Sequence, residues 1–330
     1  MTGKKRILSG MRPTGPLHMG NYLGALANWV EMQEQYDCYF FVADWHALTS
    51  DYEKPGPLTE YVRNILLDWL SAGLSPDKST IFVQSKVPEH AELYLILSMI
   101  TPVPWLERNP TYKDQIVQLN NKDLSTFGFL GYPVLQAADI IMYKANGVPV
   151  GVDQVPHVEI TREIARRFNH LYGPVFPEPD AILTQTPKIL GLDRRKMSKS
   201  YGNAIYLSDS PEEIAAKVMQ MITDPQRMRR SDPGNPDICN VFEFHKLYTD
   251  PEQVRQIDHD CRSAKIGCVE CKKIMAKKLT EALASIRDKR HYYESNPDLV
   301  QQIMTDGSAK ARKIAIETMA QVKNAIKISY

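Results

Sequence analysis

Short apolar runs alternate with stretches of helical periodicity through the first part of the chain, and this alternation constrains the fold more than any other feature. Arg6-Ile7-Leu8-Ser9-Gly10 is a strand-like run that opens into a loop punctuated by Pro and Gly, after which Asn21 to Val30 carries apolar residues at helical spacing. Cys38 to Ala43 reads as a buried strand, residues 57–73 as an amphipathic helix, and Thr80 to Gln84 as a further strand. Val148-Pro149-Val150-Gly151 reads as another strand end, followed by a helix from about Pro156 with Ile160, Ile164 and Phe168 on one face. Strands separated by helices imply crossover connections. The expected class is α/β, with a doubly wound, Rossmann-type parallel sheet.

Beyond about residue 207 the strand-like runs stop and helical spacing takes over, clearest where Ile314, Met319, Val322 and Ile326 form one stripe with lysines beside it. A chain of 330 residues is longer than one core usually grows. With a boundary near 185–200, the pattern divides it into an α/β domain over 1–192, a hinge loop over 193–203 and an α-helical domain over 204–330. No run approaches the ~20 unbroken apolar residues that span a bilayer. The basic start runs into Arg12 and Pro13, unlike a signal peptide. A cytoplasmic protein without a membrane partner is expected.

The net charge of +1 conceals an asymmetry: residues 261–330 carry 14 Lys and Arg against 7 Asp and Glu. A basic terminal segment suits a polyanion, because each cation that meets a phosphate releases a counterion. A solvated helical face has the same composition.

Two segments look built for a nucleoside triphosphate. Thr14-Gly15-Pro16-Leu17-His18-Met19-Gly20-Asn21 occupies the loop after the first strand, where parallel sheets bind ligands. Its glycines permit close backbone approach, the following helix offers free N–H groups to phosphate, and His18 can donate to the same group; a strand-to-helix turn with a surface His is the alternative. Lys196-Met197-Ser198-Lys199-Ser200, preceded by Arg194 and Arg195, sets two ammonium groups and two hydroxyls on a short segment. Lysines that meet the oxygens of a departing pyrophosphate only as charge develops there lower the barrier by differential binding.

Together the two segments resemble the His-x-Gly-His and Lys-Met-Ser-Lys-Ser signatures of the class I aminoacyl-tRNA synthetases, and nearly the whole chain resembles their bacterial tryptophanyl branch. Asn21 stands where the general signature has its second His, a replacement common in that branch. The resemblance implies adenylation of L-tryptophan by ATP with Mg2+, release of pyrophosphate, and transfer of the acyl group to the 3′ end of tRNA(Trp). It implies that Met11, Arg12, Pro13, His18, Gly20 and Asn21 lie along ATP, that Gly151, Val152 and Asp153 lie near adenosine, and that Ile189 and residues 196–200 complete that site. His18, Lys196 and Lys199 are the catalytic candidates for the α-phosphate and pyrophosphate, with Lys113 in Pro110-Thr111-Tyr112-Lys113 a further one.

Tyr132-Pro133-Val134-Leu135-Gln136-Ala137-Ala138-Asp139 places a carboxylate in an otherwise apolar helix, and a buried charge needs a partner. A helix-terminus or ion-pair role is the plain reading; by resemblance the matching Asp accepts the indole N–H of tryptophan. Leu8, Gly10, His46, Gln136, Val148, Val150 and Gln154 are then expected around the substrate. Val152 departs from the Glu of the branch's Gly-Glu-Asp-Gln, so any contact of that Glu side chain does not carry over.

Cys38 falls in a buried strand. The other four cysteines form Cys239-x21-Cys261-x6-Cys268-x2-Cys271, a pattern able to converge on one metal centre. Spacing alone does not separate structural Zn2+ from an iron–sulfur cluster. The resemblance leans to the 4Fe-4S cluster carried by a subset of the branch, in the helical domain near the tRNA anticodon. A homodimer is implied by resemblance only. Rival readings are a tyrosyl-tRNA synthetase, a small-molecule nucleotidylyltransferase of the same superfamily, and a synthetase-like RNA-binding regulator. Asn21 and the Ala-Ala-Asp helix oppose the first, the basic helical extension and thiols the second, and intact lysines with His18 the third.

Overall fold

The computed structural model describes residues 3–118, 122–184 and 189–328, so 185–188 of the expected boundary lie outside the described residues. Five parallel strands, β1 (Arg6–Met11), β2 (Asp37–Val42), β3 (Ser79–Val83), β4 (Gly147–Val150) and β5 (Asp180–Leu183), form one sheet in the order β3-β2-β1-β4-β5. Between them run α1 (Met19–Asn21), α2 (Ala27–Met32), α3 (Asp44–Asp51), α4 (Leu58–Ala72), α5 (Glu89–Ser98), α6 (Val103–Glu107), α7 (Pro110–Gln118), α8 (Phe127–Met142) and α9 (Val155–Tyr172). Then follow α10 (Pro211–Gln220), α11 (Asn240–Tyr248), α12 (Pro251–Arg262), α13 (Cys268–Ser295) and α14 (Pro297–Ala325). Four strands are those the apolar runs predict. β5 has only half-buried and exposed positions, so it lacks the continuous apolar signal of β2 and β3, which helices cover on both faces.

The sheet parts at its centre. β1 pairs with β2 along its whole length, from Arg6 with Asp37 to Met11 with Val42. With β4 it pairs only at Ile7 and Gly147. The two strands therefore diverge toward their C-terminal ends, at the place where the strand order reverses, and open the crevice in which such sheets take ligands. Gly10 keeps that crevice close to β2, since a Cβ there would stand 2.5 Å from the Phe41 ring.

The helices after residue 204 do not enclose a core of their own. One apolar cluster runs from Ile7, Phe40 and Trp69 through Leu207 and Val218 to Leu279 and Ile303. A second joins Phe82, Leu97 and Ile140 to Ala311, Met319 and Val322 of α14. The change expected at 193–203 is one of secondary structure, without a break in packing. α14 lies along β3, an outer strand of the sheet, so closely that a Cβ on Gly307 would collide with the Ile81 carbonyl. Beside it the Ser308 hydroxyl accepts the Val83 N–H at 3.5 Å.

The basic excess of the terminal segment is partly neutralised inside the chain. Arg312, expected to face a polyanion, pairs with Glu89 of α5 at 2.9 Å, and Lys323 pairs with Glu92 at 2.7 Å. Lys272 donates to the Met219 carbonyl, while Lys273 stays exposed. No helix among the described residues is long and apolar enough to cross a membrane.

Candidate active site

A cavity of about 530 Å³ opens where β1 and β4 part. Its lining includes Leu8, Gly10, His46, Gln136, Asp139, Val148, Val150 and Gln154, the set expected around the amino acid. Met11, Arg12, Gly20, Asn21, Gly151 and Asp153, expected along ATP, line it too. Pro13, His18, Val152, Ile189 and residues 196–200 do not; the Val152 side chain is exposed, and Lys113 is exposed on α7, which reaches the lining through Gln115. The segment Tyr22–Leu26 between α1 and α2 is a π-helix, and it turns Gly24 and Ala25 into the cavity wall.

Asp139, fully buried on α8, has all its acceptor sites engaged. His90 Nδ1 reaches Oδ1 at 2.6 Å, His46 Nε2 reaches Oδ2 at 2.8 Å, and the Gln84 amide donates to both oxygens at 2.9 Å. The orientation of Gln84 is set from its other end, where Oε1 accepts the Trp45 and His46 N–H groups. His90 Nε2 meets the Tyr143 hydroxyl at 2.7 Å, and burial keeps that phenol well above its ordinary pKa. Burial alone would raise the Asp139 pKa, but the charge and hydrogen bonds of His90 and His46 outweigh it and hold the carboxyl below its usual range. Gln84, His90 and Tyr143 escape a reading of the sequence. Only Gln84 carries a signal, a polar residue closing an apolar strand at the sheet's ligand-binding end.

The two signature loops touch each other. His18 caps α1 reciprocally with Asn21: its Nδ1 accepts the Asn21 N–H, and the Asn21 carboxamide oxygen accepts the His18 N–H, both at 3.2 Å. This gives Asn21 a local purpose and leaves Nε2 of a neutral imidazole as the donor. Burial, then the charges of Lys199 and Lys196, lowers the His18 pKa to about 4. Lys199 reaches across to the Gly15 carbonyl at 2.9 Å and the Thr14 hydroxyl at 3.2 Å. Burial lowers its own pKa to about 8, against the raising effect of Asp68. The lysine loop is braced by Asn203, whose carboxamide accepts the Ser198 N–H and donates to Asp193 and the Lys196 carbonyl. Met197 is buried beneath it, and Ser198 and Ser200 share a hydrogen bond at 2.9 Å.

Cys239, Cys261, Cys268 and Cys271 converge. Burial pushes Cys271 up to about 12, and the charges of the other three thiols act in the same direction. Cys239 and Cys261 are likewise raised by burial and by neighbouring cysteines. A Cβ on Gly234 would stand 2.6 Å from the Cys261 sulfur, and Arg227 Nη1 lies 3.8 Å from that of Cys268. Among the described residues no three His, Cys, Asp or Glu side chains are spaced to hold a single metal ion.

A family model described as tRNA synthetases class I (W and Y) matches residues 1–284. The tryptophan–tRNA ligase of Thermotoga maritima is 53% identical over 98% of this chain and 100% of its own length. That of Aquifex aeolicus is 47% identical over 98% and 100%. A solved tryptophanyl-tRNA synthetase from Campylobacter jejuni, complexed with ADP and tryptophan, superposes with a TM-score of 0.88 at 35% identity, covering 98% of this chain and 99% of that one. A tyrosyl-tRNA synthetase from Archaeoglobus fulgidus, at 19% identity and a TM-score of 0.66, shares the fold. A cleft between β1 and β4, the two signature loops in contact and similarity along nearly the whole chain agree, and the chain belongs to the class I tRNA synthetases, in their bacterial tryptophanyl branch.

Proposed function

We propose that the chain is a tryptophan–tRNA ligase, which joins L-tryptophan to ATP as an adenylate and then transfers the acyl group to the 3′ end of tRNA(Trp). The single observation that carries the choice of amino acid is Asp139, a depressed, fully buried carboxylate in the wall of the cavity between β1 and β4. A buried acceptor that exchanges its His46 donor for a substrate N–H rejects a side chain lacking that donor far better than an apolar pocket sorts by size. Leu8, Gly10, Val148 and Val150 supply the apolar walls for an indole.

The substrate carboxylate attacks the α-phosphorus of ATP, and the electron pair of the breaking P–O bond leaves with pyrophosphate. No side-chain nucleophile takes part. His18 donates from Nε2 toward the α-phosphate, Lys196 and Lys199 meet the pyrophosphate, and Mg2+ bound with ATP screens its charge. The experiment is ATP–pyrophosphate exchange against all twenty amino acids, followed by acylation of tRNA(Trp). Exchange that is strongest with tyrosine, or with none of them, would overturn the assignment.

The helical region is proposed to meet the tRNA anticodon, with exposed Lys273 as one contact. Lys273→Glu then lowers aminoacylation several-fold and leaves pyrophosphate exchange unchanged. The four cysteines are proposed to hold a 4Fe-4S cluster. Four thiols that act on one another's charge are the ligand set such a cluster takes, and a lone Zn2+ would use the same set. Cys239 before α11, Cys261 of α12 and Cys268 and Cys271 of α13 would hold the cluster, and it would cross-link those segments. A homodimer in the cytoplasm completes the reading, and sedimentation at micromolar concentration tests the assembly.

A further inference from the structure

The first signature loop is held from beneath by a residue that no motif marks. Asp68, on α4 and fully buried, accepts the Leu17 N–H at 2.8 Å with Oδ2. Its Oδ1 is paired with the Arg290 guanidinium of α13, a residue 222 positions away in sequence and itself buried. Arg290 is fixed in turn by Asn64 at 2.8 Å and Glu294 at 2.9 Å. Leu17 immediately precedes His18. Earlier in the same loop, Lys199 grips Gly15 and Thr14.

We infer that Asp68 and Arg290 are positioning residues for ATP: Arg290 aims the Asp68 carboxylate, which pins the Leu17 backbone and so sets the direction of His18. Asp68 divides its two oxygens between α13 and the loop, so the buried ion pair also holds the Leu17 backbone. Half of the Asp68 carboxylate is used on a backbone N–H that otherwise points into a buried space, where an unmatched donor is costly. The Arg290 end belongs to α13, a continuous helix of 28 residues that begins at Cys268. At about 1.5 Å per residue, the segment from Cys268 to Arg290 is a rod of roughly 33 Å.

The inference rests on residues 14–21 being the ATP loop, and His18→Ala separates the two ideas. Two double variants remove the buried ion pair, a change cores often tolerate when apolar residues of similar volume replace it. Asp68→Leu with Arg290→Met also removes the acceptor for Leu17, whereas Asp68→Asn with Arg290→Met keeps one. The first is expected to raise the KM for ATP about tenfold with the KM for tryptophan unchanged, and the second, which keeps an acceptor for Leu17 but loses the guanidinium that aims it, to raise the KM for ATP by less, about threefold. Wild-type ATP kinetics in a folded Asp68→Leu, Arg290→Met protein, together with impaired His18→Ala, overturns the positioning role alone. Unimpaired His18→Ala overturns the ATP-loop reading itself. Should the Leu–Met protein not fold, amide exchange in Arg290→Lys decides: faster exchange over residues 14–21 with β2 and β3 unchanged supports the inference, and unchanged loop protection defeats it.

Discussion

His90 and Asp139 meet at 2.6 Å, Nδ1 to Oδ1, with neither side chain reached by solvent. The contact matters because the carboxylate it engages is already saturated by His46 and Gln84. An incoming indole N–H has to share or displace one of three donors. Of these only His46 lines the cavity, so His46 is the donor that yields.

Asp139→Asn is expected to raise the KM for tryptophan at least about tenfold in pyrophosphate exchange and leave that for ATP unchanged. Asp139→Ala strands two buried imidazoles and an amide, so its unfolding free energy should drop by roughly 3–5 kcal/mol in urea titrations. Unchanged tryptophan kinetics in Asp139→Asn would remove the residue from recognition.

Lys199 titrates near pH 8, because burial disfavours its ammonium form. A lysine that must be charged to meet pyrophosphate loses that role as the pH rises through this value. The kcat/KM for ATP should therefore fall on the alkaline side of about 8. In Lys199→Arg the limb should vanish, since a guanidinium stays charged there; a limb that persists at the same pH belongs to another group.

His18 and His157 are both held neutral by burial, with pKa values lowered from 6.5 to about 4. The folded state binds fewer protons than the unfolded one between those values. Their contribution to stability is present above pH 6.5 and is lost as the pH falls toward 4. Urea midpoints measured at pH 7, 6 and 5 should decline, and the decline should be shallower in His157→Gln.

Gly307→Ala drives a methyl group into the Ile81 backbone, and backbone yields less readily than a side chain. The expected loss is at least about 3 kcal/mol, well above the helix-propensity gain that Gly→Ala gives elsewhere. Thermal melts compare it with Gly128→Ala, a helical glycine with nothing within 4 Å.

An anaerobic preparation should be brown and contain about four irons per chain. Cys271→Ser should bleach it and lower aminoacylation more than pyrophosphate exchange. A colourless protein holding zinc without iron would replace the cluster by a single ion.

Much of the sheet was legible because β2 and β3 are buried on both faces and write themselves as unbroken apolar runs. β5 has no fully buried position and left no such trace. Residues of the cavity wall were recognisable by resemblance, since they sit in segments that carry it. Gln84, His90, Tyr143, Asp68 and Arg290 act by orienting other residues, and the pairs His90–Asp139, His90–Tyr143, Gln84–Asp139 and Asp68–Arg290 join positions 49 to 222 apart in sequence. No local pattern encodes such a pairing. The terminal helices looked like a separate unit for the converse reason: periodicity reports which face is apolar, and is silent about which layer that face will meet.

α14 covers the open side of β3, with Gly307 against Ile81 and Ser308 taking the Val83 N–H. During synthesis β3 leaves the ribosome long before this helix exists. Until α14 has been made, the nascent sheet presents a bare hydrogen-bonding edge, a template for pairing with a neighbouring chain. The enzyme therefore cannot finish its catalytic half first and add its terminal helices later. A message truncated before Pro297 should yield an aggregate, where a modular protein would yield a soluble adenylating fragment.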